Sequence, residues 1–253
     1  MNIIIDGKIC EAKPGEILLA TARRNGIDIP TLCHHDALPG RGGCRLCIVE
    51  VEEAAKGRSV VISCLYPVQE EIKVYTKSDK IIRLRRTLLA LLREQALEAE
   101  GALSAYCEEY GVTGVGWSLG REKGRSSKDK KCILCGLCIS ACEELGNSAI
   151  QVTLRGIDKV VAPPFDEPSQ TCIGCAACAR LCPTNAVECL DEGDQRTIWG
   201  KTFALAKCTA CGEPFATVDE LEWLKERLLD TELNLSFCPE CRGKIRVGAA
   251  TPC

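Results

Sequence analysis

Two segments of the chain repeat one spacing of cysteines. CILCGLCISAC places Cys132, Cys135, Cys138 and Cys142 as C-x2-C-x2-C-x3-C, and CIGCAACARLCP repeats it with Cys172, Cys175, Cys178 and Cys182, followed by Pro183. Three thiolates two residues apart wrap three irons of a cube on one tight loop. The fourth cysteine, expected at the start of the following helix, ligates the other cube. The pattern therefore assigns Cys132, Cys135, Cys138 and Cys182 to one [4Fe–4S] cluster, and Cys172, Cys175, Cys178 and Cys142 to its neighbour. Ligands shared across two loops hold the cubes close enough to pass electrons. Gly136, Gly174, Ala176 and Ala177 leave room for backbone N–H groups to approach the sulfides. Zinc instead closes single tetrahedral sets of four, and two matching runs speak against it.

Twenty of the 253 residues are cysteine, against two histidines and one methionine. That many thiols form either a disulfide framework or metal sites, and the compartment decides between them. The N-terminus MNIIIDGKIC puts Asp6 and Lys8 where a signal peptide needs its apolar core. The longest leucine run, TLLALL at 87–92, is too short to span a bilayer. The expectation is a cytoplasmic chain, without a membrane span, whose reduced cysteines bind metal. A net charge of −3 with both signs interspersed offers no basic face for nucleic acid. With three Trp, four Tyr and four Phe, inorganic cores replace part of the hydrophobic one.

Residues 1–77 read as a small mixed domain. Ile3–Ile5, Asp6-Gly7 and Lys8–Cys10 form a hairpin signal with a type I′ turn, and Glu16–Asn25 reads as a helix closed by Gly26. Leu46–Glu52, Val60–Cys64 and Ile72–Thr76 read as strands. Residues 78–126 form a helical connector and linker, with Ile81, Leu84, Leu88, Leu91 and Leu92 at helical spacing and a glycine-rich, then charged, end. Residues 127–195 carry the two cysteine runs. Residues 196–253 carry two CxxC pairs around a helix, opened by a Thr217/Glu220 capping box, with Leu221, Leu224 and Leu228 on one face. The fold class is α+β.

Cys33, Cys44, Cys47 and Cys64 follow C-x10-C-x2-C-x16-C. The plant-type [2Fe–2S] pattern is C-x4-C-x2-C with a distant fourth ligand. The first interval here is longer, and spacing alone leaves a structural zinc site open. The residues IPTLCHHDALPGRGGCRLCIVEVEE and ISCLYPVQEEIKVYT resemble the N-terminal [2Fe–2S] domain of a known family. It is shared by the large iron–sulfur subunit of respiratory complex I, the diaphorase small subunit of bidirectional [NiFe]-hydrogenases, and iron–sulfur subunits of electron-bifurcating hydrogenases and transhydrogenases. KCILCGLCISACEELGNSAIQVTLRG and PPFDEPSQTCIGCAACARLCPTNAV resemble that family's double-cubane domain. The resemblance covers about residues 1–190 and implies a β-grasp [2Fe–2S] ferredoxin domain followed by a bacterial-type 2×[4Fe–4S] ferredoxin domain. Many members carry an extra cluster between them on H-x3-C-x2-C-x5-C. Here LLREQALEAEGALSAYCEEYGV holds Cys107 alone, so that cluster is expected to be absent. His34 and His35 read as loop residues.

KCTACGEPF and FCPECRGK give Cys208, Cys211, Cys238 and Cys241 as C-x2-C-x26-C-x2-C, a zinc-ribbon-like knuckle with a long spacer. Zinc would staple or dock. A third cubane or a rubredoxin-like iron would instead conduct. Cys10, Cys107, Cys189 and Cys253 lack motif partners and read as small buried hydrophobes or a terminal thiol. GVTGVG at 111–116 lacks a nucleotide-binding pattern.

No catalytic set is evident. The reading is an iron–sulfur electron-transfer subunit of a cytoplasmic NAD(P)H-linked oxidoreductase complex, with one [2Fe–2S] cluster, two [4Fe–4S] clusters and one zinc ion. The resemblance alone implies two partners, a flavin-bearing NAD(P)H-oxidising subunit and a thioredoxin-like [2Fe–2S] subunit, and the cubanes would suit exchange with soluble ferredoxin. The whole reaction would be of hydrogenase, formate dehydrogenase or transhydrogenase type, including flavin-based bifurcation. The alternatives are a stand-alone ferredoxin-like carrier and an iron–sulfur redox sensor or scaffold.

Overall fold

The computed structural model describes residues 1–114, 130–228 and 234–246. Strands β1 (Asn2–Ile5) and β2 (Lys8–Glu11) form the expected hairpin, with Asp6 and Gly7 both at positive φ (48° and 83°) as a type I′ turn demands. Helix α1 (Leu18–Arg24) follows, and Gly26 at φ 74° closes it. β3 (Ile48–Glu53), β4 (Gly57–Ile62) and β5 (Lys73–Tyr75) complete a mixed sheet in the order β2-β1-β5-β3-β4, with β1 and β5 parallel. One face buries Ile3, Ile5, Val49, Val51 and Val74 against Leu18, Leu19 and Ala22 of α1. A helix laid across a mixed sheet is the β-grasp arrangement. β4 stops at Ile62, earlier than the alternation predicts, and Cys64 sits in a 3₁₀ turn, Ser63–Leu65, rather than on the strand. Ser63 N–H bonds the Cys47 carbonyl oxygen at 3.1 Å, which bends the chain back towards the CxxC.

Helix α2 (Asp79–Gln95) begins at the Ser78 cap, whose hydroxyl accepts from Ile81 N–H at 3.3 Å. Its buried face is Ile81, Arg85 and Leu89, at i, i+4 and i+8, while Leu84 and Leu91 remain exposed. The face is rotated from the leucine stripe seen in sequence because the chain entering β3 receives it with the Leu46 and Ile48 carbonyl oxygens, which suit an arginine. Helix α3 (Ala102–Glu109) packs on α2, and Cys107 is buried there with Leu103 and Leu89 in one apolar cluster.

The same cluster includes Cys33 and Cys44 on one side and Ile133, with Cys135 packed against it, on the other. The connector is therefore one packed unit with both cysteine-bearing segments. Ala102 N–H bonds the Pro183 carbonyl oxygen at 2.9 Å, and Gly101, at φ 66°, turns so close that a Cβ would stand 3.0 Å from that oxygen. Beyond it lie α4 (Leu137–Glu144), the hairpin β6 (Gln151–Thr153) and β7 (Val160–Ala162), and α5 (Ala177–Arg180). The chain ends in an antiparallel sheet of β8 (Cys189–Glu192), β9 (Gln195–Ile198), β10 (Lys201–Lys207) and β11 (Pro214–Thr217), ordered β11-β10-β9-β8. Helix α6 (Val218–Arg227) packs on β10 and β11, and α7 (Pro239–Arg246) follows. Thr217 caps α6 as expected, accepting from Glu220 N–H at 3.1 Å. Most of the expected linker, part of GVTGVG, and Cys253 lie outside the described residues. Among the described residues, no helix is long and apolar enough to cross a membrane.

Candidate metal centres

Residues 25–47 run without regular helix or strand and carry Cys33, Cys44 and Cys47 over the end of the first sheet. With Cys64 they form four buried thiols, each at most 4 % exposed. Arg45 takes φ 62°, which curls the CxxC so that both sulfurs face inward. Cys44 N–H donates to Cys33 Sγ at 3.2 Å, and Leu32 N–H to Cys44 Sγ at 3.4 Å. A hydrogen bond with the Cys44 thiol lowers the Cys33 thiol to about 6, and one with Cys64 lowers Cys47 to about 7. Cys44 and Cys64, the donors of those bonds, are pushed up. The Ser63 hydroxyl is fully buried and has no partner of good hydrogen-bond geometry among the described residues, although it contributes to the lowering of Cys47. The two histidines stay outside this set: His34 faces Arg23 and Asp36, and His35 Nδ1 accepts from Ala37 N–H.

The two repeated runs fold alike. In each, the second residue after the first cysteine is at positive φ (Leu134 55°, Gly174 68°), as is the residue after the second cysteine (Gly136 80°, Ala176 58°). Two left-handed residues in five wind each run into a cup. Each helix begins just before the third cysteine, not at the fourth as the spacing suggests. Cys142 lies one turn further along α4, and Cys182 just past α5.

Each cup opens on a cavity. One is lined by Cys132, Cys135 and Cys138 of the first run together with Cys182 of the second. The other is lined by Cys172, Cys175 and Cys178 together with Cys142. The electrostatics include the crossed pairs, Cys182 acting on Cys135 and Cys138 and Cys142 on Cys172, Cys175 and Cys178, and they also couple the two cups directly, since Cys178 acts on Cys138. Burial pushes the Cys135 and Cys178 thiols up to about 12, so metal binding must release protons. Backbone N–H groups already point at the outlying sulfurs, Ala149 at Cys142 (3.1 Å) and Ala186 at Cys182 (3.2 Å).

Several residues around these sites carry no signal in the sequence. Arg85 donates to the Leu46 and Ile48 carbonyl oxygens on either side of Cys47. Arg196 and Lys201 donate to the carbonyl oxygens of Gly174 and Cys172. Trp199 occupies the β9–β10 turn between the two cavities. Arg41, beside the first site, bonds Ser140 and Glu143 of α4 and lies over Gly136. A Cβ added at Gly43 would stand 3.9 Å from the Cys135 carbonyl oxygen, so the loop of the first site runs close to the nearer cup.

At the end of the chain, Cys208, Cys211, Cys238 and Cys241 bring four Sγ atoms within 4.8 Å of one another. Gly212, at φ 77°, turns the first knuckle, and Cys238 N–H donates to Cys208 Sγ at 3.3 Å. Of the unmatched cysteines, Cys10 and Cys107 are buried in apolar clusters and Cys189 is half-buried on β8.

Residues 1–79 match the 2Fe-2S iron-sulfur cluster binding domain, and residues 169–188 the 4Fe-4S binding domain. The chain is 31 % identical over 231 residues to NADP-reducing hydrogenase subunit HndD of Solidesulfovibrio fructosivorans, covering 81 % of this chain and 38 % of that protein. It is 29 % identical over 233 residues to NADPH-Fe(3+) oxidoreductase subunit alpha of Geobacter sulfurreducens, covering 83 % of this chain and 26 % of that one. A chain in the crystal structure of an NAD+-reducing [NiFe]-hydrogenase in the H2-reduced state superposes with a TM-score of 0.63 at 27 % identity, over 73 % of this chain and 85 % of that one. The chain thus spans well under half the length of these two curated relatives. The likeness read from the cysteine motifs extends across four-fifths of the chain, and the mixed α+β fold carries a 2Fe-2S and a 4Fe-4S binding domain.

Proposed function

We propose that this chain relays electrons as the iron–sulfur subunit of an NAD(P)H-linked oxidoreductase complex. The observation that carries the reading is the pair of cavities, each lined by three cysteines of one run and the last cysteine of the other. The donor chemistry fits: thiols converge in apolar pockets, backbone N–H groups aim at sulfur, and the buried Ser63 hydroxyl lies beside the Cys47 thiol. Cys33, Cys44, Cys47 and Cys64 would hold a [2Fe–2S] cluster. Cys132, Cys135, Cys138 and Cys182 would hold one [4Fe–4S] cluster, and Cys172, Cys175, Cys178 and Cys142 the other. When bound, such clusters accept and release single electrons.

The protein's part is to hold the sites near one another and dry. The nearness of Gly43 to the Cys135 carbonyl and the apolar cluster shared by Cys33, Cys44 and Cys135 support direct passage from the first site to the nearer cubane, without an intervening centre. Cys208, Cys211, Cys238 and Cys241 would bind zinc in a ribbon-like knuckle. Zinc is redox-silent, so this end staples the terminal region beside the farther cubane. The corresponding domains are 1–77, 78–126, 127–195 and 196–253. The relatives carry the names of subunits of NADP-linked enzymes, which supports a multi-subunit complex. Within this reading the complex is cytoplasmic, and its other members are a flavin-bearing NAD(P)H-oxidising subunit and a thioredoxin-like [2Fe–2S] subunit. Exchange with ferredoxin, and bifurcation, fall within the same reading.

Anaerobically purified protein is expected to hold about ten iron and ten acid-labile sulfide atoms per chain, the sum of one [2Fe–2S] and two [4Fe–4S] clusters. It should co-migrate with a flavoprotein on gel filtration of native extract. A colourless protein, or one migrating alone as a carrier would, counts against the reading.

A further inference from the structure

Among the described residues, Trp199 alone lines both cubane cavities, and it does so from an unusual backbone. It is the first residue of the two-residue turn joining β9 and β10, where Ile198 pairs with Lys201. Trp199 and Gly200 take φ of 53° and 74°. Asparagine, aspartate or glycine normally fills that first position, and a bulky aromatic there is strained. Surrounding structure must hold such strain, and it concentrates where a side chain has a task. The indole meets the need: its Nε1–H donates to Cys178 Sγ at 3.3 Å. Cys178 faces only the second cavity, so the bond falls on one cubane of the pair.

We propose that Trp199 is a positioning residue that makes the two cubanes unequal, by holding an N–H donor on the sulfur of Cys178 and so raising the reduction potential of the second cluster above its undonated value. The inference rests on the cluster assignment given above. Reduction adds negative charge that spreads onto the thiolate sulfurs, so a fixed donor favours the reduced form. The turn imposes the direction. With both turn residues left-handed, the ring projects from the hairpin into the gap between the cups.

The test is an EPR-monitored redox titration of the full chain and its W199F and W199G variants. W199F keeps a ring and removes the donor, while W199G also relieves the turn. In W199F the second cubane should lose about tenfold in electron affinity, which is ~59 mV for a one-electron couple. The first cubane and the [2Fe–2S] centre should titrate as before. Unchanged midpoints in W199F, or an equal fall in both cubanes, overturn the inference. If W199F loses the second cluster, W199G decides. A retained cluster at lowered potential supports the inference, and a second loss shows that the ring only packs. Absence of paired cubane signals in the unmodified protein overturns the cluster assignment and this inference together.

Discussion

Arg85 Nη2 donates to the Ile48 carbonyl oxygen at 2.8 Å while its Nε donates to that of Leu46 at 3.0 Å, so one guanidinium spans both neighbours of Cys47. The side chain is 1 % exposed, its third contact is the Tyr110 hydroxyl at 3.1 Å, and it forms no ion pair among the described residues. A buried cation without an acid beside it is costly, and a [2Fe–2S] centre on four thiolates would supply negative charge nearby.

Arg85→Met should therefore destabilise the first sheet by about 3 kcal/mol, the loss of two or three bonds from a charged donor. It should also lower the midpoint of the [2Fe–2S] signal. Arg85→Lys keeps the charge but cannot span two carbonyls with a rigid fork, so it should recover most of the potential and less of the stability. Urea unfolding and an EPR titration read the two effects separately. An R85M protein as stable as the original would refute the anchoring role.

The crossed arrangement of the runs is testable by pairing variants. Cys182→Ser should remove the same EPR signal as Cys132→Ser, and Cys142→Ser the same signal as Cys172→Ser. In each case iron falls from about ten to about six atoms, one cubane's worth. If Cys182→Ser instead matched Cys172→Ser, each run would close its own cluster, and the division of the two cavities would have misled.

The two cysteine cups are legible in the sequence because their spacing is a local property: each is wound within seven residues. The Asp6-Gly7 turn and the Thr217 cap are legible for the same reason, since one or two residues dictate the backbone there. What escapes depends on partners distant in sequence. Arg85 reads as one of several basic residues on a helix, and only the Leu46 and Ile48 carbonyls, 39 and 37 positions earlier, make it a buried anchor. Trp199-Gly200 has the usual glycine of a type I′ turn behind an unusual first residue, so its hairpin is hidden, and nothing in its neighbours announces Cys178 as its acceptor. The leucine stripe of α2 has the right period and the wrong centre, because period alone does not say which face meets a sheet.

For the terminal knuckle the expected metal content is one zinc atom per chain, seen by native mass spectrometry and elemental analysis. Cys208→Ser should abolish it and leave iron near ten atoms, because the four sulfurs form a set separate from both cubane cavities. A chelator that removes zinc should loosen the region after β10 to proteolysis before the visible absorbance bleaches. One extra iron atom with no zinc would identify a mononuclear iron site and turn the staple into a conductor.

Gly174 joins that terminal sheet to the second cup, and its replacement tests how tightly. At φ 68° an added Cβ would stand 2.7 Å from the Phe203 ring and 2.8 Å from Thr217 Cγ2, both on buried side chains. Neither neighbour has room to yield: Thr217 Oγ1 also donates to the Ile173 carbonyl, and the Phe203 ring lies under the Lys201 ammonium. Gly174→Ala should cost about 2–4 kcal/mol, summing left-handed strain with overpacking. Gly193, at φ 57° in the β8–β9 turn, meets nothing within 4 Å, so Gly193→Ala incurs the conformational part alone, about 1–2 kcal/mol. The two variants share backbone strain and differ in the clash beneath the cup. Faster loss of one cubane on mild oxidation in G174A, with G193A unaffected, would locate the support of the second cluster in β10 and β11. Equal cluster lifetimes in both would show that the sheet merely lies alongside it.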